Sequence, residues 1–330
     1  MKLPRPLPDY PALAALPALR HALQQAGRAV MAAPPGSGKT TTIPLALLAE
    51  PWLAGQKIVL LEPRRVAARA AAARMASLMG ESVGETVGYQ IRFERRIGPA
   101  TRIEVVTEGL LARRLQADPE LPGVGLVIFD EFHERSLDAD LALALTLDAR
   151  DTLRPDLRVL VMSATLGTQR VSALLDDAPV VEAGGTLYPV TQHYRPVRAD
   201  TPVDEAVAQI VLMALAETPG DVLAFLPGAR EIRATARRIE ARNGAVVVRP
   251  LYGVLSSAEQ DLALSPDADG RRKVILATNI AQTSLTVEGV TTVVDSGLVR
   301  VARYDPGAGA SVLETRRISR ASAEQRAGRA

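Results

Sequence analysis

The stretch APPGSGKT, residues 33–40, follows the apolar run Ala29–Ala33 and opens an amphipathic segment over 39–49. The run predicts a strand and the segment predicts a helix, so the stretch is a strand-to-helix turn. It fits the phosphate-loop pattern, except that Ala33 stands where the first glycine is usual. Small residues let consecutive backbone N–H groups surround an anion, and the helix N-terminus adds its dipole. The stretch therefore predicts a phosphate site.

Side chains of this loop also have predicted roles. Lys39 is long enough to reach the β- and γ-phosphates of a nucleotide, and the Thr40 hydroxyl is suited to Mg²⁺. A chance glycine-rich turn is the alternative, which the match in its strand-to-helix context disfavours. The predicted nucleotide-binding residues of the loop are Gly36, Ser37, Gly38, Lys39, Thr40 and Thr41.

Short apolar runs alternate with amphipathic stretches on both sides of this loop, and this pattern predicts an α/β fold with mostly parallel sheets flanked by helices. Further predicted strands of the first half are Ile58–Glu62, Arg102–Thr107, Leu126–Asp130 and Arg158–Ser163, with helices over 64–79, 109–117 and 136–149. The proline-rich opening, with Pro4, Pro6, Pro8 and Pro11, predicts an extended arm.

The pattern pauses at AGGTLYP, residues 183–189, and then restarts. Predicted elements after the pause are helices over 203–216 and Ala229–Arg242, and strands Asp221–Phe225, Ala245–Arg249, Lys273–Thr278 and Thr291–Asp295. A boundary near residue 188 therefore predicts two domains, 1–188 and 189–330.

Composition narrows the class of protein. The chain has 330 residues, of which 47% are hydrophobic, so a disordered protein is excluded. No stretch approaches the roughly 20 apolar residues of a membrane-spanning helix. Cysteine is absent and only three histidines occur, which disfavours a thiolate or histidine metal site. The net charge of +2 is not strongly basic, but arginines cluster along the chain, and arginine suits phosphate oxygens. We expect a soluble, intracellular protein.

A second stretch, VIFDE over 127–131, is an apolar run that ends in two carboxylates. Asp130 at a strand tip is suited to hold the metal, directly or through water, and Glu131 to orient or deprotonate a water molecule. An acidic strand end is common by itself. Because a predicted phosphate loop lies upstream, the functional interpretation of this one is favoured over an ordinary acidic strand end. His133, two residues further on, is predicted to sense nucleotide state and to couple the two domains.

Eight strings in one order then point to a family. They are EPRRVA (62–67), VGYQIRFE (87–94), TEGLL (107–111), DEFH (130–133), SAT (163–165), FLPG (225–228), ATNIAQTSLT (277–286) and QRAGRA (325–330). The set resembles the motifs of superfamily 2 helicases, specifically the DExH group near the DEAH-box RNA helicases. Any one tripeptide is weak, whereas eight ordered matches are very specific. Gln282 stands where the family usually has glutamate.

The resemblance implies two RecA-like domains that bind ATP with Mg²⁺ in the cleft between them. The first would supply the phosphate loop, Asp130 and Glu131. In the second, Gln325 would position the lytic water and Arg329 would be an arginine finger. Further residues with implied roles are Arg74 stacking on adenine, Ser284 and Thr286 contacting the nucleotide, and Ser163 and Thr165 linking hydrolysis to nucleic-acid binding.

The family also implies single-stranded RNA as the partner, gripped along its backbone. The matching positions are Arg64, Arg65 and Thr107 in the first domain and Asn279 and Thr283 in the second. Such contacts touch phosphate and sugar, and aromatic residues make up only 3% of the chain, which argues against base stacking as the main binding mode. The implied protein is a monomeric, cytoplasmic, bacterial ATP-dependent RNA helicase.

Three alternatives stay open at this stage. Backbone contacts do not separate RNA from DNA, so a DNA-directed translocase is one. The last string stops where the family continues with Gly-Arg, so we expect a fragment that hydrolyses slowly, and a nucleotide-regulated RNA-binding module with little hydrolysis is a second. A small-molecule phosphate-loop kinase is a third, and it leaves most of the eight strings unexplained.

Overall fold

The computed structural model describes residues 7–164, 167–184, 189–198, 200–282 and 287–330. The chain divides into two compact units, Met1–Leu187 and Tyr188–Ala330. Each unit has its own β-sheet and its own buried core. Within the described ranges, no helix is both long enough and apolar enough to cross a bilayer.

An eight-stranded sheet runs through the first unit. Its strands are β1 (Arg28–Ala32), β2 (Lys57–Glu62), β3 (Val87–Ile91), β4 (Glu94–Arg96), β5 (Ile103–Thr107), β6 (Val124–Phe129), β7 (Arg158–Ser163) and β8 (Val180–Glu182). The spatial order is β4-β3-β5-β2-β6-β7-β1-β8, and every neighbouring pair is parallel except β3 with β4. The carboxyl ends of the parallel strands therefore lie along one edge.

Among the described residues of this unit, six α-helices accompany the sheet: α1 (Leu16–Gln25), α2 (Lys39–Leu47), α3 (Arg65–Met79), α4 (Glu108–Ala117), α5 (Leu137–Thr152) and α6 (Thr168–Leu174). The residues of strand β2 show why helices must pack on both faces of the sheet. Ile58 and Leu60 belong to one core cluster, while Val59 and Leu61 belong to the other. Side chains alternate along a strand, so an unbroken apolar run is stable only between two layers.

The second unit is built around a smaller parallel sheet. Its elements are α7 (Val203–Glu217), β9 (Asp221–Phe225), α8 (Ala229–Glu240), β10 (Val247–Leu251), α9 (Ser257–Leu264), β11 (Lys273–Ala277), β12 (Val290–Asp295), β13 (Leu298–Asp305), β14 (Ala310–Arg317) and α10 (Arg320–Ala327). The sheet order is β10-β11-β9-β12, and β13 with β14 forms a separate antiparallel hairpin.

The predicted α/β class with mostly parallel sheets is confirmed, and local differences have physical causes. The predicted extended arm is wrong from Pro11 onward, because Pro11–Ala15 is a 3₁₀ helix that leads into α1. Proline fits the first turn of a helix, where its missing N–H has no partner to lose. The short strands β3, β4 and β8 and the hairpin escaped prediction because they lack the long apolar runs of central strands.

A buried acid at the other edge of the first sheet links three elements. Glu104 of β5 accepts hydrogen bonds from Lys57 Nζ of β2 at 2.7 Å and from Arg114 of α4 at 2.8 Å. Burial by itself raises the pKa of Glu104, but the hydrogen bonds and charges of the two cations outweigh burial and lower that pKa below its usual value. This triad ties the sheet to α4.

Replacing Glu104 by glutamine is expected to lower the free energy of unfolding by about 1–3 kcal/mol at neutral pH, because two cations lose their shared carboxylate. A carboxylate with a lowered folded-state pKa contributes stability above its unfolded pKa, and loses it as pH falls through the folded value. The difference in the free energy of unfolding between the variant and the parent protein should therefore become smaller as the pH falls below 4.5, the ordinary pKa of glutamate. Urea unfolding across this pH range measures it.

The control for this experiment is Glu120→Gln, because Glu120 is an exposed acid of the same unit. Equal losses in both variants, or a Glu104→Gln deficit that does not change with pH, would contradict the triad's contribution.

Candidate nucleotide-binding site

Five strand ends bring the predicted residues of the first unit to one edge of the sheet. The phosphate loop follows β1, and Asp130 directly follows β6. Glu62, Thr107 and Ser163 are the last residues of β2, β5 and β7. Strand register aligns these ends, since Ala32 pairs with Ser163 and Glu62 pairs with Thr107. The carboxyl edge of a parallel sheet is where open α/β folds bind ligands.

The loop itself adopts left-handed backbone where glycine permits it. Gly36 has φ +75° and Gly38 has φ +82°, and Gly38 caps the start of α2. The Thr42 hydroxyl donates to the Gly38 carbonyl at 2.8 Å, which secures the first turn of that helix. The side chains of Ser37, Lys39 and Thr40 are buried at the turn. The strand-to-helix turn expected from the sequence is therefore present in this unit, and its role as a phosphate loop stays a prediction.

Lys39 lies inside a group of carboxylates. Its Nζ is 2.9 Å from Glu131 Oε1 and 4.0 Å from Asp130 Oδ1. Burial opposes the charged amine, but the negative charges of Glu131, Asp130 and Glu62 outweigh that effect and raise the pKa of Lys39. The lysine thus stays cationic inside the protein, as its predicted role as a phosphate ligand requires.

Asp130 is held by two hydrogen bonds. It accepts from the Thr40 hydroxyl and, at 2.8 Å, from the backbone N–H of Glu131. Burial, together with the charge of Glu131, raises the pKa of Asp130 to about 6, despite the opposing charge of Lys39. A hydroxyl and a carboxylate side by side are hard oxygen donors of the kind Mg²⁺ prefers. The predicted metal residues Thr40, Asp130 and Glu131 fit such an ion.

The turn after β6 sets the directions of the Glu131 and His133 side chains. Glu131 has φ +50°, a left-handed backbone that costs a non-glycine residue energy and marks functional sites. A short 3₁₀ helix over Phe132–Glu134 follows. His133 Nε2 lies 3.4 Å from Glu131 Oε2, while Nδ1 accepts a hydrogen bond from the Ala164 N–H at 3.3 Å. His133 therefore connects the acid after β6 with the segment after β7.

The protonation of His133 suits a hydrogen-bond relay. Burial lowers its pKa, and the charge of Lys39 adds to that effect, although Glu131 opposes it. A neutral imidazole has one donor and one acceptor nitrogen. With Nδ1 accepting from Ala164, Nε2 is the donor that faces Glu131.

Predicted nucleic-acid residues of the first unit occupy the same edge. Arg64 forms a two-pronged pair with Glu134, at 3.1 and 2.7 Å. Arg65 is the exposed first residue of α3, and Thr107 precedes the first residue of α4. Arg64 is therefore tied to the 3₁₀ turn that carries His133, a link that spacing along the sequence does not predict.

In the second unit, Gln325 lies buried in α10, Arg329 lies just beyond it, and Asn279 begins a 3₁₀ turn after β11. The Gln325 side chain and the Arg329 guanidinium both bond to Gln282. The remaining predicted site residues, Thr165, Thr283, Ser284 and Thr286, lie outside the described residues.

Two residues at the site were not predicted as site residues. Glu62 is fully buried, and its charge acts on Lys39. Tyr10 packs against Gly38, and its hydroxyl accepts a hydrogen bond from the exposed Arg74 at 3.3 Å. The buried acid at the end of β2 was a visible signal for Glu62. Tyr10 had none, because its contact depends on how the chain before α1 folds back.

Family comparison assigns both units to helicases. The family described as "DEAD/DEAH box helicase" matches residues 14–174, and the one described as "Helicase conserved C-terminal domain" matches 203–330. The chain is 52% identical over 323 residues to the ATP-dependent RNA helicase HrpB of Escherichia coli, covering 98% of this chain and 40% of that protein. It is 39% identical over 315 residues to the probable ATP-dependent RNA helicase DHX34 of Homo sapiens, covering 91% and 27%.

Solved structures agree. A crystal structure of the Escherichia coli DEAH/RHA helicase HrpB superposes with a TM-score of 0.91 at 52% identity, covering 97% of this chain and 41% of that one. A second, of the E. coli DExH-box NTPase HrpB, gives 0.82 at 51% identity, covering 98% and 40%. The present chain therefore spans about two fifths of the length of its bacterial relatives.

Gly38→Ala is expected to weaken nucleotide binding at least about tenfold, because a displaced loop no longer presents its N–H groups to phosphate. A Cβ at this position would lie 2.5 Å from the Tyr10 ring, and the backbone has φ +82°. Titration with a fluorescent ADP analogue measures the loss.

Gly80→Ala is the matched control, since Gly80 also has a left-handed backbone, with open space around its Cβ position. A second control, Tyr10→Ala in the Gly38→Ala background, removes the clash and should recover part of the affinity. If it recovers none, the Tyr10 contact does not limit this loop.

Proposed function

We propose, since this chain belongs to the DEAD/DEAH box helicase family, that it is the ATP-hydrolysing core of an RNA helicase. Two RecA-like domains, 1–188 and 189–330, would bind ATP between them and move along single-stranded RNA. One observation carries the proposal most directly: Lys39, Thr40, Asp130 and Glu131 form one buried, hydrogen-bonded cluster at the end of a phosphate loop. The helicase would act in the cytoplasm of a bacterium, and the E. coli relative supports the bacterial part of this proposal.

The cluster suggests what ATP binding does first. Lys39 rests on Glu131 at 2.9 Å, so its charge is already neutralised in this state. Entering phosphates offer Lys39 a stronger anionic partner, and the lysine turns to the β- and γ-oxygens. Glu131 is thereby released to orient the attacking water and accept its proton. The phosphate ligand and the base thus exchange partners when nucleotide enters.

Thr40 and Asp130, with Glu131 through water, would hold Mg²⁺, which when bound neutralises charge on the phosphate oxygens. The protein's own contribution is to orient these oxygens. The Thr40 hydroxyl and the Glu131 N–H both bond to the Asp130 carboxylate, so its direction is set before any ligand arrives.

The second domain would complete the site with opposite charge. Arg329 would stabilise charge that develops on the transferred phosphoryl group, and Gln325 would orient the water. Ser284 and Thr286 would contact the nucleotide from this side, and Arg74 of the first domain would stack on adenine. A catalytic group that arrives from a second domain makes hydrolysis depend on closure of the two.

Coupling to RNA would run through the residues beside the acid. A change of partner at Glu131 would alter its contact with His133 Nε2. His133 Nδ1 accepts a hydrogen bond from Ala164, which stands between Ser163 and Thr165 in the sequence, so the change would pass to that segment. The 3₁₀ turn of His133 also carries Glu134, the partner of Arg64. Arg64, Arg65, Thr107, Asn279 and Thr283 would then grip or release the RNA backbone, so that hydrolysis becomes movement.

Lys39→Ala is expected to abolish ATP turnover, with or without single-stranded RNA, because the phosphates lose their cation and Glu131 loses its partner. The measurement is phosphate release by the purified chain, with circular dichroism to follow folding. Lys57→Ala is the matched control: Lys57 begins β2, at the opposite end from the site, and should leave turnover intact. Turnover by the Lys39→Ala protein would refute the phosphate-loop assignment.

The second candidate function, a nucleotide-regulated RNA-binding module, predicts a different result for the unmodified chain. It would bind ATP tightly and release no phosphate, whether RNA is present or not. The helicase core predicts phosphate release that single-stranded RNA accelerates.

RNA is expected to stimulate turnover more than DNA of matched sequence, if contacts to 2′-hydroxyl groups help hold the strand. The measurement is the ATPase rate against increasing uridine oligonucleotide and its deoxyuridine counterpart. Equal stimulation by the two would favour a DNA-directed or non-discriminating translocase over an RNA-directed one.

A further inference from the structure

Gln282, just after the 3₁₀ turn Asn279–Ala281, binds α10 at several points. Its Nε2 donates to Gln325 Oε1 at 2.7 Å and to the Ser322 hydroxyl at 3.1 Å. Its Oε1 accepts from Arg326 Nε at 3.2 Å, and its backbone carbonyl accepts from Arg329 Nε at 2.8 Å. One residue thus contacts both Gln325 and Arg329, the two groups that the proposed function assigns to hydrolysis.

Arg326 anchors the same helix to the sheet. Its side chain is 1% exposed, and its Nη1 donates to Asp295 Oδ1 at the end of β12 at 2.7 Å. The same Nη1 also donates to the Leu298 carbonyl at 3.3 Å, and the guanidinium lies 4.7 Å from the centre of the Phe225 ring at the end of β9. A buried cation is stable only when its donors are satisfied, so Arg326 holds α10 in one position.

Arg326 and Gln282 have complementary tasks. The arginine fixes where α10 lies on the sheet, while the amide of Gln282 fixes how the side chain of Gln325 is turned. An amide has two donors and one acceptor oxygen. Because Gln282 occupies Gln325 Oε1, the Gln325 amide is held in one rotational state at the edge of α10.

We propose that Gln282 is a positioning residue for hydrolysis: it orients Gln325 and Arg329 from within the second unit, and does not itself touch nucleotide. The proposal rests on the proposed function, because that function gives Gln325 and Arg329 their roles. It predicts that loss of the Gln282 amide slows the chemical step more than it weakens nucleotide binding.

The hydrogen-bond donors and acceptors of each side chain predict which bonds each substitution loses and which it keeps. Methionine at 282 has nearly the same length and offers neither donor nor a strong acceptor, so the bonds from residue 282 to Gln325 Oε1 and from Arg326 Nε are lost. Glutamate keeps an acceptor for Arg326 and cannot donate to Gln325 Oε1. The Gln325 amide must then turn, so that its NH₂ group faces the carboxylate, which restores a bond.

The test compares Gln282→Met and Gln282→Glu with the matched control Gln260→Met. Gln260 is a buried glutamine of the same unit, whose Nε2 donates to the carbonyls of Tyr252 and Leu255. Both methionine variants remove a buried amide, and thermal unfolding reports the loss of stability in each. Gln282 bonds to Gln325 through its side chain and to Arg329 through its backbone carbonyl, whereas Gln260 Nε2 donates to backbone carbonyls of its own segment.

We expect Gln282→Met to lower kcat for RNA-stimulated ATP hydrolysis about tenfold or more, with KM for ATP changed by less than about twofold. Gln282→Glu should recover part of kcat, and Gln260→Met should leave kcat near that of the parent protein. Equal kcat losses in the two methionine variants, or none in Gln282→Met, would overturn the proposal.

Hydrogen exchange separates this proposal from the function on which it rests. Backbone amides over 320–329 should exchange faster in Gln282→Met than in Gln260→Met, whether or not ATP is hydrolysed. If the parent chain hydrolyses no ATP, the proposed function fails while the exchange result still decides whether Gln282 positions α10. Unchanged exchange over these residues would overturn the positioning claim by itself.

Discussion

The buried contact between Lys39 and the carboxylates of Glu131 and Asp130 is the interaction on which the first unit's site depends. None of the three charges would be stable alone at this depth, because an unpaired buried ion loses its hydration. Together they offset part of one another's charge: the carboxylates raise the pKa of Lys39, while burial raises that of Asp130 to about 6. A cation and two carboxylates therefore lie where the proposed nucleotide and its metal would bind.

The parallel sheet makes this arrangement possible. Lys39 and Glu131 are 92 positions apart in the chain, yet they meet because β1 and β6 end at the same edge, with β7 between them. Two further departures from regular structure complete the site: the left-handed glycines of the loop and the left-handed Glu131. The sheet sets where these residues lie, and the left-handed backbone at a few of them sets the direction of the groups they carry.

The second unit uses a buried charge in a comparable way. Arg326 lies against Asp295 and the Phe225 ring, and so joins α10 to the ends of β12 and β9. Gln282 then connects that helix to the segment after β11. In both units, a buried cation at the carboxyl ends of the strands contacts side chains of the predicted site and fixes their positions. A substitution there is expected to disturb chemistry as well as stability.

The sequence alone determined the α/β class, the phosphate loop, the carboxylates at the end of β6 and membership of a helicase family. These features are encoded locally, as an apolar run, a glycine-rich turn or an ordered string of motifs. A local pattern of this kind can be recognised without knowledge of the fold. The roles given to Thr165, Thr283, Ser284 and Thr286 stay predictions of that kind.

Only the tertiary structure decided which side chains touch. Lys39 pairs with Glu131, and His133 accepts a hydrogen bond from Ala164. Tyr10 packs on Gly38, and Gln282 bonds to several residues of α10. Each contact joins residues far apart in the chain, and each depends on strand register, helix docking or a left-handed turn to within about an ångström. Spacing along a sequence carries no such distance, which is why these partners had to be seen in three dimensions.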